Sequence, residues 1–261
     1  MLKNKKSLGQ HWLKDRFILD YIADEADLNK EDVVLEIGPG LGTLTSSLLK
    51  RAGKVIAVEY DENLAKNLPK QFPGKNLEVI NIDFLKYDLD KLGVGYKVVA
   101  NVPYYITSKI VEKLLVANNK PKKIVLLVQK EVALRMAEKP GNLSVLAIAS
   151  QSYAKVTLGD AVGKELFTPP PEVDSQVVIL DFYDKPIFSE YLTEAEYMLP
   201  VKRAFLNKRK KLISSLNGLV GDKTKTKLWL ESLGIDENKR AEDLSLDEWL
   251  KIAKSLKEKD N

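Results

Sequence analysis

Asn101-Val102-Pro103-Tyr104 has the residue types needed to hold an exocyclic amine on a purine. Such an amine is a poor nucleophile, because its lone pair is delocalised into the ring. It presents two hydrogens that need acceptors. The Asn101 side-chain oxygen can take one, and a backbone carbonyl at Val102 or Pro103 the other. Pro103 has a fixed φ and no N–H, so it can hold that backbone acceptor in place. Tyr104 offers a ring face on which an extruded base can stack. No strong general base is required, since the amine turns acidic only after it has attacked and water can then take the proton. Rate enhancement comes from alignment and oriented dipoles. In isolation the same four residues also read as an ordinary Asn-x-Pro turn after a strand.

The elements that would position this tetrapeptide start much earlier. Val33–Ile37 is a short apolar run with β-branched residues and reads as a buried parallel strand. Gly38, Gly40 and Gly42 follow, and a helical pattern begins at Thr43. Strand, glycine turn and helix open a nucleotide-binding βαβ unit, where glycines allow a tight turn and let a ligand lie against bare amides. The spacing is G-x-G-x-G, with Thr43 where a dinucleotide fingerprint has its last glycine. Glu36 precedes Gly38 by two residues, and this acid-x-Gly-x-Gly turn resembles that of S-adenosylmethionine methyltransferases more than a nicotinamide site.

Ligands of doubly wound sheets sit beyond the carboxyl ends of the strands. Lys54–Glu59 reads as the second strand, and Glu59 lies 21 positions after Gly38. A carboxylate there can accept from two vicinal ribose hydroxyls. Asp83 follows the third strand, Leu77–Ile82; it bonds an adenine amino group or caps the turn before Phe84. Both cofactors contain adenosine, so these acids do not separate them. The tetrapeptide at the end of the fourth strand, Lys97–Asn101, does.

Alternation of strands and helices specifies a mainly parallel, doubly wound α/β sheet. A fifth strand spans Ile124–Gln129, and Lys155–Gly159 and Ser175–Phe182 are plausible last strands. Gly141–Tyr153 reads as a helix. Asp15 can cap a helix carrying Ile18, Leu19, Ile22, Ala23 and Ala26. Ser7–Leu13 has no period and reads as an extended arm, and the triple proline of Phe167–Val173 makes a stiff loop. Tyr183–Pro186 is a boundary. Residues 1–184 form the larger domain, and 185–261 a small all-helical one whose last helix opens on the capping box Ser245–Glu248.

Composition removes several chemistries. With no cysteine and a single histidine, His11, disulfides, thiolate nucleophiles and metal clusters drop out, so no metal site is expected. No apolar run reaches the ~20 residues of a membrane span. Met1–Ser7 is basic without the apolar core of a signal peptide, so a cytoplasmic protein is expected. Net charge is only +4 but uneven. Lys3, Lys5, Lys6 and Lys14 crowd the start. Lys202, Arg203, Lys208, Arg209, Lys210 and Lys211 fall within ten residues that hold no acid. The second run reads as a phosphate track, or as a solvated helix face over Val201, Phe205, Leu212 and Leu216.

Gly9-Gln-His-Trp-Leu13, Glu36-Ile-Gly-Pro-Gly40, Glu59, Asp83 and Asn101-Val-Pro-Tyr104 together resemble the ribosomal RNA adenine N6,N6-dimethyltransferases. Phe167–Ser175, Arg203–Leu212 and Arg240–Ser245 are similar to that family's later segments, in its order. The resemblance implies a Rossmann-like sheet of about seven strands and S-adenosylmethionine as cofactor. It implies transfer of methyl groups to two adjacent adenosines near the 3′ end of small-subunit rRNA, on an immature subunit, by a monomer. It puts cofactor contacts on His11, Leu13, Gly38, Gly40, Glu59, Asp83 and Asn101. The catalytic set becomes Asn101, Pro103, Tyr104 and Phe167, with Phe167 facing the target base from the other side or packing in the core. His11 stands where many relatives have Asn, and Val102 where Leu is commoner. Three rival readings stay open: a large-subunit rRNA adenine methyltransferase, an assembly factor whose methylation is dispensable, and a nicotinamide dehydrogenase.

Overall fold

The apolar runs of the middle strands become a seven-stranded sheet in the computed structural model, which describes residues 11–260. Lys3, Lys5, Lys6, Gly9 and Gln10 of the basic arm lie outside them. Strand β1 (Trp12–Leu13) stands apart from that sheet. β2 (Val33–Ile37), β3 (Lys54–Glu59), β4 (Leu77–Asn81), β5 (Lys97–Asn101) and β6 (Lys123–Gln129) pair in parallel, in the order β4-β3-β2-β5-β6. β7 (Ala154–Val162) and β9 (Ser175–Phe182) complete the sheet; β9 runs antiparallel to β6. Val34, Leu35, Val98, Val99 and Ile124 through Val128 are fully buried. That burial is why these strands read as continuous apolar runs without alternation.

Strand order reverses at the β2/β5 neighbours, the switch point of a doubly wound sheet. The glycine turn leaves the end of β2, and Asn101 ends β5. Helix α1 (Arg16–Asp24) is capped by Asp15, whose carboxylate accepts from the Ile18 amide at 3.1 Å. Leu19, Ile22 and Ala23 pack with Leu44 and Leu48 of α2 (Thr43–Arg51) into one core with Val34, Val99 and Val125. α3 (Glu62–Gln71) and α4 (Thr107–Val116) follow β3 and β5. The short helix α5 (Lys130–Met136) after β6 has no clear start signal in the sequence.

The expected arm and proline loop meet each other. Trp12–Leu13 pairs antiparallel with β8 (Phe167–Thr168), Leu13 opposite Phe167. Among the described residues no helix is long and apolar enough to cross a membrane.

The chain divides into two compact units: residues 1–134 with 155–182, and 135–154 with 183–261. The break between Phe182 and Tyr183 lies at the edge of the expected Tyr183–Pro186 boundary. Residues 135–154 belong with the C-terminal helices rather than with 1–184, and side chains give the reason. In the second unit, Gln151 on α6 (Val145–Tyr153) donates to the Met136 and Glu138 carbonyls, and the Ser152 hydroxyl bonds the Tyr197 hydroxyl at 3.0 Å. Tyr197 lies on α7 (Glu194–Phe205), followed by α8 (Leu212–Ser215), α9 (Lys223–Ser232) and α10 (Leu246–Asp260). The Ser245–Glu248 box closes as read, with the Ser245 amide donating to Glu248 at 2.8 Å and the Glu248 amide to Ser245 Oγ at 3.2 Å.

Candidate active site

A cavity of about 380 Å³ opens in the first unit over the carboxyl ends of β2, β3 and β5. His11, Leu13, Gly38, Gly40, Glu59, Asp83, Asn101, Pro103 and Tyr104 all line it. Seven of these nine residues meet here because each follows or ends a strand of one sheet, and β1 with its pairing to β8 brings His11 and Leu13 to them.

Glu59 is 6% exposed and holds the turn. Its Oε2 accepts from the Gly40 amide at 3.0 Å and its Oε1 from the Asp61 amide at 2.8 Å. Burial raises its pKa, and those two N–H groups pull the other way. Each oxygen keeps a second lone pair for a hydroxyl. The amides of the three glycines are not bare, although those of Thr43 and Leu44 at the start of α2 have no side-chain cap. The Gly38 amide donates to the Val58 carbonyl and the Gly42 amide to the Pro39 carbonyl, both at 2.9 Å. Gly38 and Gly40 therefore serve by lacking side chains. At Gly40 (φ +57) a Cβ would stand 3.2 Å from the Trp12 indole nitrogen, so the site needs both a left-handed backbone and no side chain.

Asp83 lines the cavity and caps the short 3₁₀ turn Phe84–Lys86, accepting from the Leu85 amide at 2.9 Å. The two readings of this residue are compatible, because the cap uses one oxygen. Glu36 was read only as part of a motif, yet it faces the cavity at 1% exposure. Its Oε2 accepts from the Thr45 hydroxyl at 2.6 Å. Burial, reinforced by the Glu59 charge, pushes its pKa up to about 8, although the Thr45 bond opposes this. The acid-x-Gly-x-Gly spacing was the available signal for it.

At the tetrapeptide, Asn101 Nδ2 donates to the His11 carbonyl at 3.3 Å. That bond turns the amide so that Oδ1 is the free end. The Pro103 carbonyl already accepts from the Ile106 amide and the Thr107 hydroxyl, both at 3.3 Å. Of the two backbone acceptors left open by the sequence, Val102's is the one without a partner among the described residues. Tyr104 is pinned by a 2.6 Å hydrogen bond between its hydroxyl and Ser175 Oγ. Burial raises its pKa and keeps it neutral. The His11 ring lies nearly parallel to it, centroids 5.8 Å apart and planes 19° apart, with Nδ1 bonded to the Pro169 carbonyl at 2.8 Å. His11 thus contributes a carbonyl to Asn101 and a ring to Tyr104.

Phe167 is the exception. It is 2% exposed, belongs to the core cluster with Leu13 and Leu19, and does not line the cavity. Pairing with Leu13 turns it inward, so the packing reading holds and the base-facing one does not. Exposed Tyr60 and Tyr105 also stand at the cavity wall, with no distinguishing signal in their sequence context. Among the described residues no cluster of three or more His, Cys, Asp and Glu residues forms a metal site.

The basic run lies in the second unit. Lys202 and Arg203 close α7, and Lys208, Arg209 and Lys210 fill the turn before Lys211 and α8; all six are exposed. Val201, Leu212 and Leu216 are buried beneath them. Acids distant in sequence partly balance the run, since Lys208 meets Glu242 at 3.1 Å and Lys202 meets Glu194 at 3.8 Å. Lys211 bonds the Asn238 side chain at 2.8 Å. Arg203, Arg209 and Lys210 carry no ion pair among the described residues.

The family model described as ribosomal RNA adenine dimethylase matches residues 1–258. A curated protein named ribosomal RNA small subunit methyltransferase A, from Dehalococcoides mccartyi, is 41% identical over 96% of this chain and 88% of its own. One of the same name from Mycoplasma mycoides is 37% identical over 96% and 97%. Among solved structures, a dimethyladenosine transferase from Plasmodium falciparum has TM-score 0.83 at 32% identity, covering 96% of this chain and 98% of its own. The 23S rRNA methyltransferase ErmE has TM-score 0.75 at 28% identity, covering 94% and 99%.

Proposed function

The chain belongs to the ribosomal RNA adenine dimethylase family, and from that premise we propose how its site works and on which RNA. It is an S-adenosylmethionine-dependent rRNA adenine N6,N6-dimethyltransferase. Its target is a pair of adjacent adenosines near the 3′ end of small-subunit rRNA, met on the immature subunit in the cytoplasm by a monomer. The observation that carries the site reading is the amide of Asn101, tethered at its nitrogen by the His11 carbonyl and free at its oxygen.

The cavity suits the cofactor. Glu59 and Asp83 line it and, among the described residues, no lysine or arginine does, which favours a ligand bearing sulfonium and ammonium charges. Glu59 keeps lone pairs for ribose hydroxyls, and Asp83 for an adenine amine. When bound, the cofactor supplies an electrophilic methyl group.

The chain's own residues handle the nucleophile. The target adenine stacks on the face of Tyr104 turned away from His11. Its N6 hydrogens go to Asn101 Oδ1 and the Val102 carbonyl. Two acceptors in fixed positions draw the hydrogens out of the ring plane, so that the nitrogen lone pair leaves conjugation and is aimed for attack. Transfer leaves a cationic nitrogen that loses its proton to water. A monomethylated amine still has one hydrogen for either acceptor, so the same grip serves the second transfer. Arg203, Arg209 and Lys210 engage RNA phosphates.

Small subunits lacking the modification, incubated with the protein and labelled cofactor, should gain dimethyladenosine at two neighbouring positions of their rRNA, read by mass spectrometry of nuclease fragments. Label confined to large-subunit rRNA would move the protein to the other branch. Cofactor binding without transfer to either RNA would reject the enzymatic reading.

A further inference from the structure

Among the described residues, the side-chain N–H groups and the glycine amides along the cavity wall are nearly all in use, whereas the first amides of α2, at Thr43 and Leu44, have no side-chain cap. The amides of Gly38, Gly40 and Gly42 are bonded to Val58, Glu59 and Pro39. His11 Nδ1 is held by Pro169, Asn101 Nδ2 by His11, and the Tyr104 hydroxyl by Ser175. Of the wall's acids, Glu59 and Asp83 are acceptors when ionised, and Glu36, its pKa raised by burial, is engaged with the Thr45 hydroxyl. An anionic group entering this cavity needs a donor that is still free.

Trp12 has one. Its indole nitrogen and Cδ1 lie 3.2 and 3.3 Å from where a Cβ on Gly40 would stand, so the N–H edge lies against the glycine turn. It has no hydrogen-bond partner among the described residues, and Trp12 lines the cavity half-buried. The position is fixed by backbone pairing of Trp12 with Thr168 and by its buried neighbour Leu13. The other two tryptophans differ. Trp229 donates to Ser255 at 2.9 Å, and Trp249 is wholly buried in the second unit. Hydroxyls of Thr43, Tyr60 and Tyr105 also face the cavity, but a hydroxyl serves as donor or acceptor, whereas an indole N–H only donates.

We propose that the Trp12 indole N–H is the donor that receives the α-carboxylate of the cofactor's methionine arm, with the ring covering the glycine turn. This rests on the methyl-donor reading above. The carboxylate is the cofactor's single anionic group, and in a wall of carboxyls it would be repelled without a dedicated donor. The same contact favours a ligand with the full amino-acid arm over an adenosine lacking it.

Titrate the full chain and its Trp12→Phe variant with S-adenosylmethionine and with decarboxylated S-adenosylmethionine, by calorimetry. Phe keeps an aromatic cover and the β1 backbone but removes the N–H. A hydrogen bond to a charged group predicts about a 10- to 100-fold loss of affinity for the intact cofactor and less than about threefold for the decarboxylated one. Equal losses with both ligands, or none with the intact cofactor, overturn the assignment. So does a carboxylate-selective loss in Thr43→Val that Trp12→Phe lacks. If the unsubstituted chain binds neither ligand, the cofactor reading falls and this assignment with it.

Discussion

At the scale of single residues, the site is a set of polar groups each held by one neighbour so that its other end is free. Asn101 is the clearest case, and Asn101→Ala should lower the methyl-transfer rate about 100- to 1000-fold, the range for removing one oriented polar group from a reacting centre. Thermal melting should be little changed, because the amide is half-buried and donates one bond. Glu36 carries a different expectation. Its pKa is about 8 in the folded chain against 4.5 for a free glutamate carboxyl. Below pH 4.5 it is protonated folded or unfolded. As pH rises from there toward 8 the unfolded chain releases the proton while the folded chain keeps it, so stability falls across that window. Glu36→Gln removes this dependence. Its Tm relative to the parent should climb between pH 5 and 8 by an amount worth about 2 kcal/mol or more, roughly 4–8 °C. A flat difference would mean that Glu36 ionises freely. These residues were unevenly legible. Asn101 and Glu59 announce themselves by ending strands, and Asp83 by closely following one. Phe167 was ambiguous because its environment is set by Leu13, more than 150 positions away.

At the scale of elements, strands β2, β3, β5 and β6 were readable because each is a buried apolar run ending in a polar or glycine signal, and the edge strand β4, only half-buried, by its place in the alternation. The β1–β8 pair was not, since a two-residue strand has no period. It brings Trp12 to the glycine turn, and Gly40→Ala tests that closeness. An alanine there must adopt φ near +57 and crowd the indole. The strain is of order 1–3 kcal/mol and should appear as a lower Tm together with weaker cofactor binding. Helix α7 offers a contrast away from the cavity. Thr193 and Glu196 form a reciprocal capping box, with Thr193 N to Glu196 at 2.7 Å and Glu196 N to Thr193 at 3.3 Å. The T-x-x-E signature was present in the sequence and went unused. Thr193→Ala should cost about 1 kcal/mol in denaturant unfolding and leave cofactor affinity unchanged.

At the scale of the whole molecule, a mainly parallel, doubly wound sheet followed from the alternation of elements, whereas its strand order and the division into units did not. Residues 135–154 carry an ordinary helical pattern, and bonds such as Ser152 to Tyr197 and the Gly141 and Leu143 amides to the Glu242 carbonyl reveal which unit they join. Charge behaves similarly. Six cations without a nearby acid in sequence become three with partners from elsewhere and three without an ion pair. Lys210→Ala should therefore flatten the dependence of log RNA affinity on log salt by about one unit, and Lys208→Ala by less, because Glu242 already balances it. Equal slopes for the two variants would show that the ion pairs open on binding.

The central claim is that one side-chain amide oxygen and one backbone carbonyl grip the N6 of an extruded adenine. A crystal structure of the protein with a non-reactive cofactor analogue and an RNA carrying the two adjacent adenosines tests it most directly. The expected result is an adenine stacked on Tyr104, its N6 within hydrogen-bond distance of both Asn101 Oδ1 and the Val102 carbonyl. An adenine whose N6 is held by other groups, with the Asn101 oxygen turned back toward the protein, would contradict it.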